Sequence, residues 1–196
     1  MNKIKRIILI LLVALGLSSC DILSQMHQMA TFAKCTFDFE SVNSVQMLGV
    51  NLRKGMTKSD LSVGQLLQLT NALMSKSLPV TFNVNLDINN PNSTAASMTK
   101  MDYILTLNDK QIISTTMNNS ISVPANSSNV VTIPVTTDLF QLFSGESAEA
   151  IMNLAFKLAG ATSNPVNVGI KVKPYITVGS QQLAYPDYIT MNKVLQ

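Results

Sequence analysis

The most chemically specific spacing in the sequence is Leu17-Ser18-Ser19-Cys20. A large apolar residue, two small ones and a thiol resemble the bacterial lipobox, in which a lipoprotein peptidase cleaves just before a diacylated cysteine. The leader before it fits that reading. Lys3, Lys5 and Arg6 precede an apolar run from Ile7 to Leu17, which is basic, then greasy, then small, as export signals are. The run is too short to span a bilayer stably, since a helix needs about 20 apolar residues to cross. The expectation is therefore a signal peptide over residues 1–19 and a mature chain that starts at Cys20 with palmitate-type acyl chains on its N-terminus. The anchor belongs in the cell envelope, in the outer membrane ahead of the inner.

Other reactive groups are sparse. His27 is the sole histidine and falls in the stretch just after the anchor, so a catalytic triad or a histidine zinc site would have to assemble from tether. Cys35 has no cysteine to pair with once Cys20 carries lipid; between Ala33 and Phe37 it reads as a small buried hydrophobe rather than a working thiol. Asp38 and Glu40 share a strand face and read as an exposed pair at a sheet rim, not as a general acid and base. Arg53, Lys54 and Lys58 form a small loop cluster that could touch anionic headgroups, although a solvated loop is the plainer reading. No glycine loop has the spacing that cradles phosphate. The expectation is no enzyme activity, no cofactor and no metal.

Charge narrows the partners. The chain holds fourteen Lys or Arg and eleven Asp or Glu; loss of the leader removes three of the basic residues and balances the two. A near-neutral chain with scattered charge lacks the basic stripe that displaces counterions from phosphates, so nucleic acid is set aside.

The elements that position these residues follow from periodicity. About 177 mature residues suit one domain, read as a lipidated tether over 20–35 and a β-domain over 36–196. From Val80 to Ile88 apolar and polar residues alternate strictly, which places five hydrophobes on one face of a strand. The alternation recurs at Met101 to Leu107, Ile121 to Val123, Val131 to Val135 and Val166 to Val172. Shorter strands are expected at Phe37 to Val42, Val45 to Leu52, Tyr175 to Val178 and Gln181 to Ala184. Turn residues separate them: Asn90-Pro91-Asn92, Asn108-Asp109, Pro124-Ala125-Asn126 and Gly179-Ser180. Lys171 and Lys173 fall on a wet strand face.

Two stretches switch to helical spacing. Ser62 and Gln65 form a capping box ahead of Val63, Leu66, Leu67, Leu73 and Met74, giving a helix from Ser62 to Lys76. Glu146 and Glu149 open a second, with Ala148, Ile151, Met152, Ala155 and Leu158 as its stripe and Gly160 after its end. Both stripes are expected to close the core. The whole reads as a mainly β fold, an antiparallel sandwich of about seven to nine strands with two added helices.

The stretch Phe82 to Pro134 resembles the late-embryogenesis-abundant type 2 family, also called the WHy domain. The residues that carry the likeness are an alternating strand running into Asn90-Pro91-Asn92, a strand like Met101 to Leu107, a polar hairpin, and a strand entered through Val123-Pro124-Ala125-Asn126. The rest resembles lipid-anchored bacterial members. The resemblance implies an immunoglobulin- or fibronectin III-like sandwich and a non-enzymatic role linked to stress tolerance. It carries over no catalytic residues, and Asn90, Pro91 and Asn92 only as a structural turn. The functional expectation is a lipid-anchored envelope module that contacts a protein, lipid or glycan; the alternative is a structural subunit of an envelope or surface assembly.

Overall fold

A computed structural model describes residues 31–160, 165–178 and 181–195. The leader, Leu17, Ser18, Ser19, Cys20, His27 and the Gly179-Ser180 turn lie outside these. The strict alternation at Val80 to Ile88 makes the central strand of the first sheet, β3 (Pro79–Asn90). Val80, Phe82, Val84, Leu86 and Ile88 all point inward and are almost wholly buried. β1 (Thr36–Met47) pairs with β3 on one side and β8 (Ser127–Asp138) on the other, both antiparallel. β2 (Val50–Asn51) adds to the outside of β1, so the sheet runs β2-β1-β3-β8.

The second sheet is built on β9 (Val166–Val178), the longest strand. β5 (Lys100–Leu107) lies on one side of it and β6 (Lys110–Met117) beyond that. On its other side β11 (Ile189–Leu195) covers the first half of β9 and β10 (Gln181–Ala184) the second. Between β5 and β6 the chain turns through Asn108 and Asp109, both at positive φ, as the right-handed twist of a two-residue hairpin favours. β4 (Ala96–Met98) and β7 (Ile121–Val123) form a small ladder of their own. The inward residues of the two large sheets, Met101, Leu105, Ile133, Val135, Val168 and Ile170 among them, join one core.

Among the described residues, eleven strands stand where seven to nine were expected. The two early strands expected at Phe37 to Val42 and Val45 to Leu52 are mostly one, β1, whose register shifts between Asn43 and Gln46, with Ser44 at positive φ. That bulge moves Val45 and Met47 onto the buried face, and mimics a strand break in the sequence. Tyr175 to Val178 is likewise the end of β9 rather than a separate strand. β4, β6 and β11 were not expected as strands.

The helices divide. α3 (Ala148–Leu158) is capped by the Ser147 side chain and ends before Gly160 at positive φ. It buries Ile151, Met152, Leu154, Ala155, Phe156 and Leu158, so it does close the core. α1 (Val63–Met74) has the capping box at Ser62 and Gln65, with hydrogen bonds of 2.8 and 3.3 Å. Its stripe is a correction: Val63, Leu66, Leu67 and Met74 are exposed, and only Leu69, Ala72 and the half-buried Leu73 face the core. A third, four-residue helix, α2 (Leu139–Leu142), follows β8 directly.

Candidate functional site

Asn90 ends β3, and its side chain is wholly buried. Its Nδ2 donates to the carbonyl oxygens of Thr94 at 2.9 Å and of Val123 and Pro124 at 3.0 Å. Its Oδ1 accepts from the Asn92 backbone N–H at 3.1 Å and from Asn92 Nδ2 at 2.7 Å. Asn92 Nδ2 also reaches the Thr31 carbonyl at 2.7 Å, and the Asn126 N–H donates to the Asn92 carbonyl at 3.0 Å. The two turns singled out in the sequence, 90–92 and 124–126, thus meet, with Asn90 holding them together. Pro91 fixes one dihedral between the two asparagines. A hollow of about 500 Å³ lies beside this hub, lined by Lys34, Pro91, Asn92, Thr94 and Asn126 among others. It offers backbone and amide groups and one lysine, a set suited to cross-linking loops rather than to proton transfer.

Cys35 sits behind the hub, half-buried, its thiol 3.8 Å from Asn90 Oδ1 and 3.8 Å from the Thr31 carbonyl. Burial pushes its pKa up, which keeps it a thiol at neutral pH and a poor nucleophile. Asp38 and Glu40 are exposed on the outer face of β1, as expected.

The sequence did not single out Asp102. It lies mid-β5 on the outer face of the second sheet, where Oδ1 accepts from Thr116 Oγ1 at 2.6 Å and Oδ2 from the Tyr175 hydroxyl at 2.7 Å. Lys100 Nζ lies 4.1 Å from the Tyr175 ring centre. Desolvation alone would raise the carboxyl pKa, but the hydrogen bonds from Thr116 and Tyr175, with the charges of Lys100 and Lys173, outweigh it and lower the value. Asp102 also raises the Tyr175 pKa, chiefly through their hydrogen bond. This triad joins β5, β6 and β9; its members are far apart in sequence, and no local motif announces it.

Asp138 is a second unforeseen carboxylate. It caps α2 through Phe140 N–H at 2.9 Å, and accepts from Ser77 Oγ at 2.6 Å and Leu78 N–H at 3.0 Å. Desolvation opposes its ionisation, yet these bonds prevail and its pKa falls. Asp102 and Asp138 therefore have their oxygens committed to hydrogen bonds that fasten elements together, and Asp60, whose pKa is lowered as well, accepts from the Thr57 N–H at 2.7 Å and from Thr57 Oγ1 at 2.9 Å. Among the described residues, no three His, Cys, Asp or Glu converge as a metal site would require.

Arg53 and Lys54 line a hollow of about 640 Å³ with Asp60 and with Gln65 from the first turn of α1. Lys58 pairs with Glu149 of α3 at 3.5 Å. Among the described residues, no helix is long and apolar enough to cross a membrane.

The sequence profile of LEA_2, late embryogenesis abundant protein, matches residues 85–184. The chain belongs to the LEA_2 family. The LEA_2 span begins in β3 and closes at the end of β10, and takes in the Asn90 hub and the Asp102 triad, while β1, α1 and β11 fall outside it. No curated protein matches the chain. The solved structures similar to it include the following three. A crystal structure of a protein from Archaeoglobus fulgidus has 10% identity and a TM-score of 0.35, covering 79% of this chain and 96% of its own. A solution structure from Arabidopsis thaliana has 10% identity and a TM-score of 0.46, covering 82% and 80%. A solution structure described as a late embryogenesis abundant (LEA) protein has 13% identity and a TM-score of 0.37, covering 91% and 83%.

Proposed function

We propose that this LEA_2 protein is a non-enzymatic, stress-protective module of the WHy type, tethered to the bacterial envelope by acyl chains on Cys20 and contacting a protein, lipid or glycan partner. Its two β-sheets would form a sandwich of immunoglobulin or fibronectin III type. The observation that carries the non-enzymatic part is the fate of the perturbed groups. Asp102 and Asp138 are each held by hydrogen bonds between elements, and Cys35 is a neutral thiol. A catalytic group also needs a substrate within hydrogen-bond reach, whereas these bonds run between elements of the fold. Family membership supports the stress-related role, and the lipobox motif supports the tether.

A structural subunit that pairs strand edges is the second reading. The open edge of β6 favours it, since Gln111, Ser114, Thr115 and Thr116 are exposed there. In the first sheet Pro134 sits in edge strand β8, where it removes a donor and blunts pairing.

Metabolic labelling with palmitate tests the tether. The wild-type chain is expected to take up label and to sediment with membranes, and Cys20→Ala to take up none. Equal labelling of the two would remove Cys20 from the account. Survival of drying by cells lacking the protein tests the protective role.

A further inference from the structure

α1 is apolar over more than half of its circumference, and only part of that arc is covered. Leu69, Ala72 and Leu73 face the core, yet Val63, Leu66, Leu67 and Met74 are 85%, 40%, 62% and 79% exposed. At 100° per residue the four exposed positions, with Thr70 between them, fall within an arc of about 100°, the width of an apolar stripe that normally finds something to cover it. The helix itself carries no charge. Charge gathers around it instead: between residues 53 and 76 there are four basic residues, Arg53, Lys54, Lys58 and Lys76, against Asp60 alone. Arg53 and Lys54 share a hollow with Asp60 and with Gln65 of the first turn, so positive charge gathers at the N-terminal end of the helix, with Lys76 just beyond its C-terminal end.

We infer that α1 docks on the surface of an anionic phospholipid bilayer, its outer stripe sunk at the headgroup boundary and Arg53, Lys54 and Lys76 on lipid phosphates. An amphipathic helix of low charge flanked by cations binds an interface in this way, without crossing it. A protein groove would take the apolar stripe, but the surrounding positive charge has its complement in an anionic membrane. The helix lies outside the span that the family model matches. The docking refines the partner in the proposed function, yet does not require the tether: a domain held at a membrane meets it more often, and an untethered one would still bind.

The protein has no tryptophan, so Leu67→Trp places a single reporter in the stripe. Full-length protein would be mixed with vesicles of phosphatidylcholine, with or without phosphatidylglycerol, whose acyl chains are brominated. Emission is expected to shift to the blue and to be quenched by bromine when phosphatidylglycerol is present. Thr115→Trp, on the exposed face of β6, should stay unquenched. Adding Arg53→Gln and Lys54→Gln to the reporter should weaken quenching roughly tenfold or more in the lipid needed, and salt should do likewise. Emission unchanged by either vesicle would overturn the inference. So would a blue shift without bromine quenching in a protein that sediments as a dimer, which would make a second copy the occupant. The mass of the N-terminal peptide reports acylation separately, so loss of the tether and loss of α1 docking are told apart.

Discussion

Asn90 holds the loop end of the fold by donating to three carbonyls at once, and its removal tests whether the asparagine is more than a turn former. Asn90→Ala should cost about 3 kcal/mol in denaturant unfolding, because buried carbonyls lose their donor. Asn90→Asp keeps the shape but turns donation into repulsion, so at neutral pH it should be at least as damaging. If Asp were tolerated, side-chain size rather than the amide would be what matters. At Gly169 a Cβ would collide with Thr106 Oγ1 and Asn192 Oδ1 from the flanking strands. Gly169→Val should therefore lower stability by about 1–3 kcal/mol through overpacking, read as a fall in Tm. Asp138 gives a pH signature. Its folded pKa lies below the unfolded value, so the stability it adds is complete above the ordinary carboxylate range and drains away as pH falls through the lowered pKa. Asp138→Asn should flatten that part of the acid-unfolding profile, whereas an unchanged profile would show the carboxylate to be idle.

Elements with one dry and one wet face were legible. β3, β5, β8 and the first half of β9 announce themselves because Val80 to Ile88 and its counterparts alternate without a break, and α3 because its acids, stripe and terminal glycine agree. What escaped follows from position. β11 buries only Met191 and β6 buries no residue fully, so neither shows the alternation that a half-buried strand writes. The bulge at Ser44 split β1 in two on paper. The cap of α1 could be read from Ser62 and Gln65, but apolar residues over more than half of its circumference hid which part faces inward. The two helices should then respond oppositely to truncation. Ile151→Ala in α3 should cost about 2–5 kcal/mol by opening a cavity, while Leu67→Ala in α1 should change stability by no more than about 0.5 kcal/mol. Comparable losses at both positions would mean that the α1 stripe is covered within the fold.

Across the whole molecule, two large antiparallel sheets share one core, and the LEA_2 span takes in the Asn90 hub at the end of the first and the Asp102 triad on the outer face of the second. Asp102 and Asp138 serve as fasteners between elements of the fold. The proposed acyl anchor at Cys20 and the proposed docking of α1 would both turn the domain toward a membrane. The tether is the premise with the widest consequences, since it would set where the domain works and how often α1 meets lipid. Intact and peptide-level mass spectrometry of the protein extracted from bacterial envelopes tests it most directly. The account predicts an N-terminal peptide that begins at Cys20 and carries acyl mass. A peptide beginning elsewhere, or Cys20 with an unmodified thiol, would contradict it.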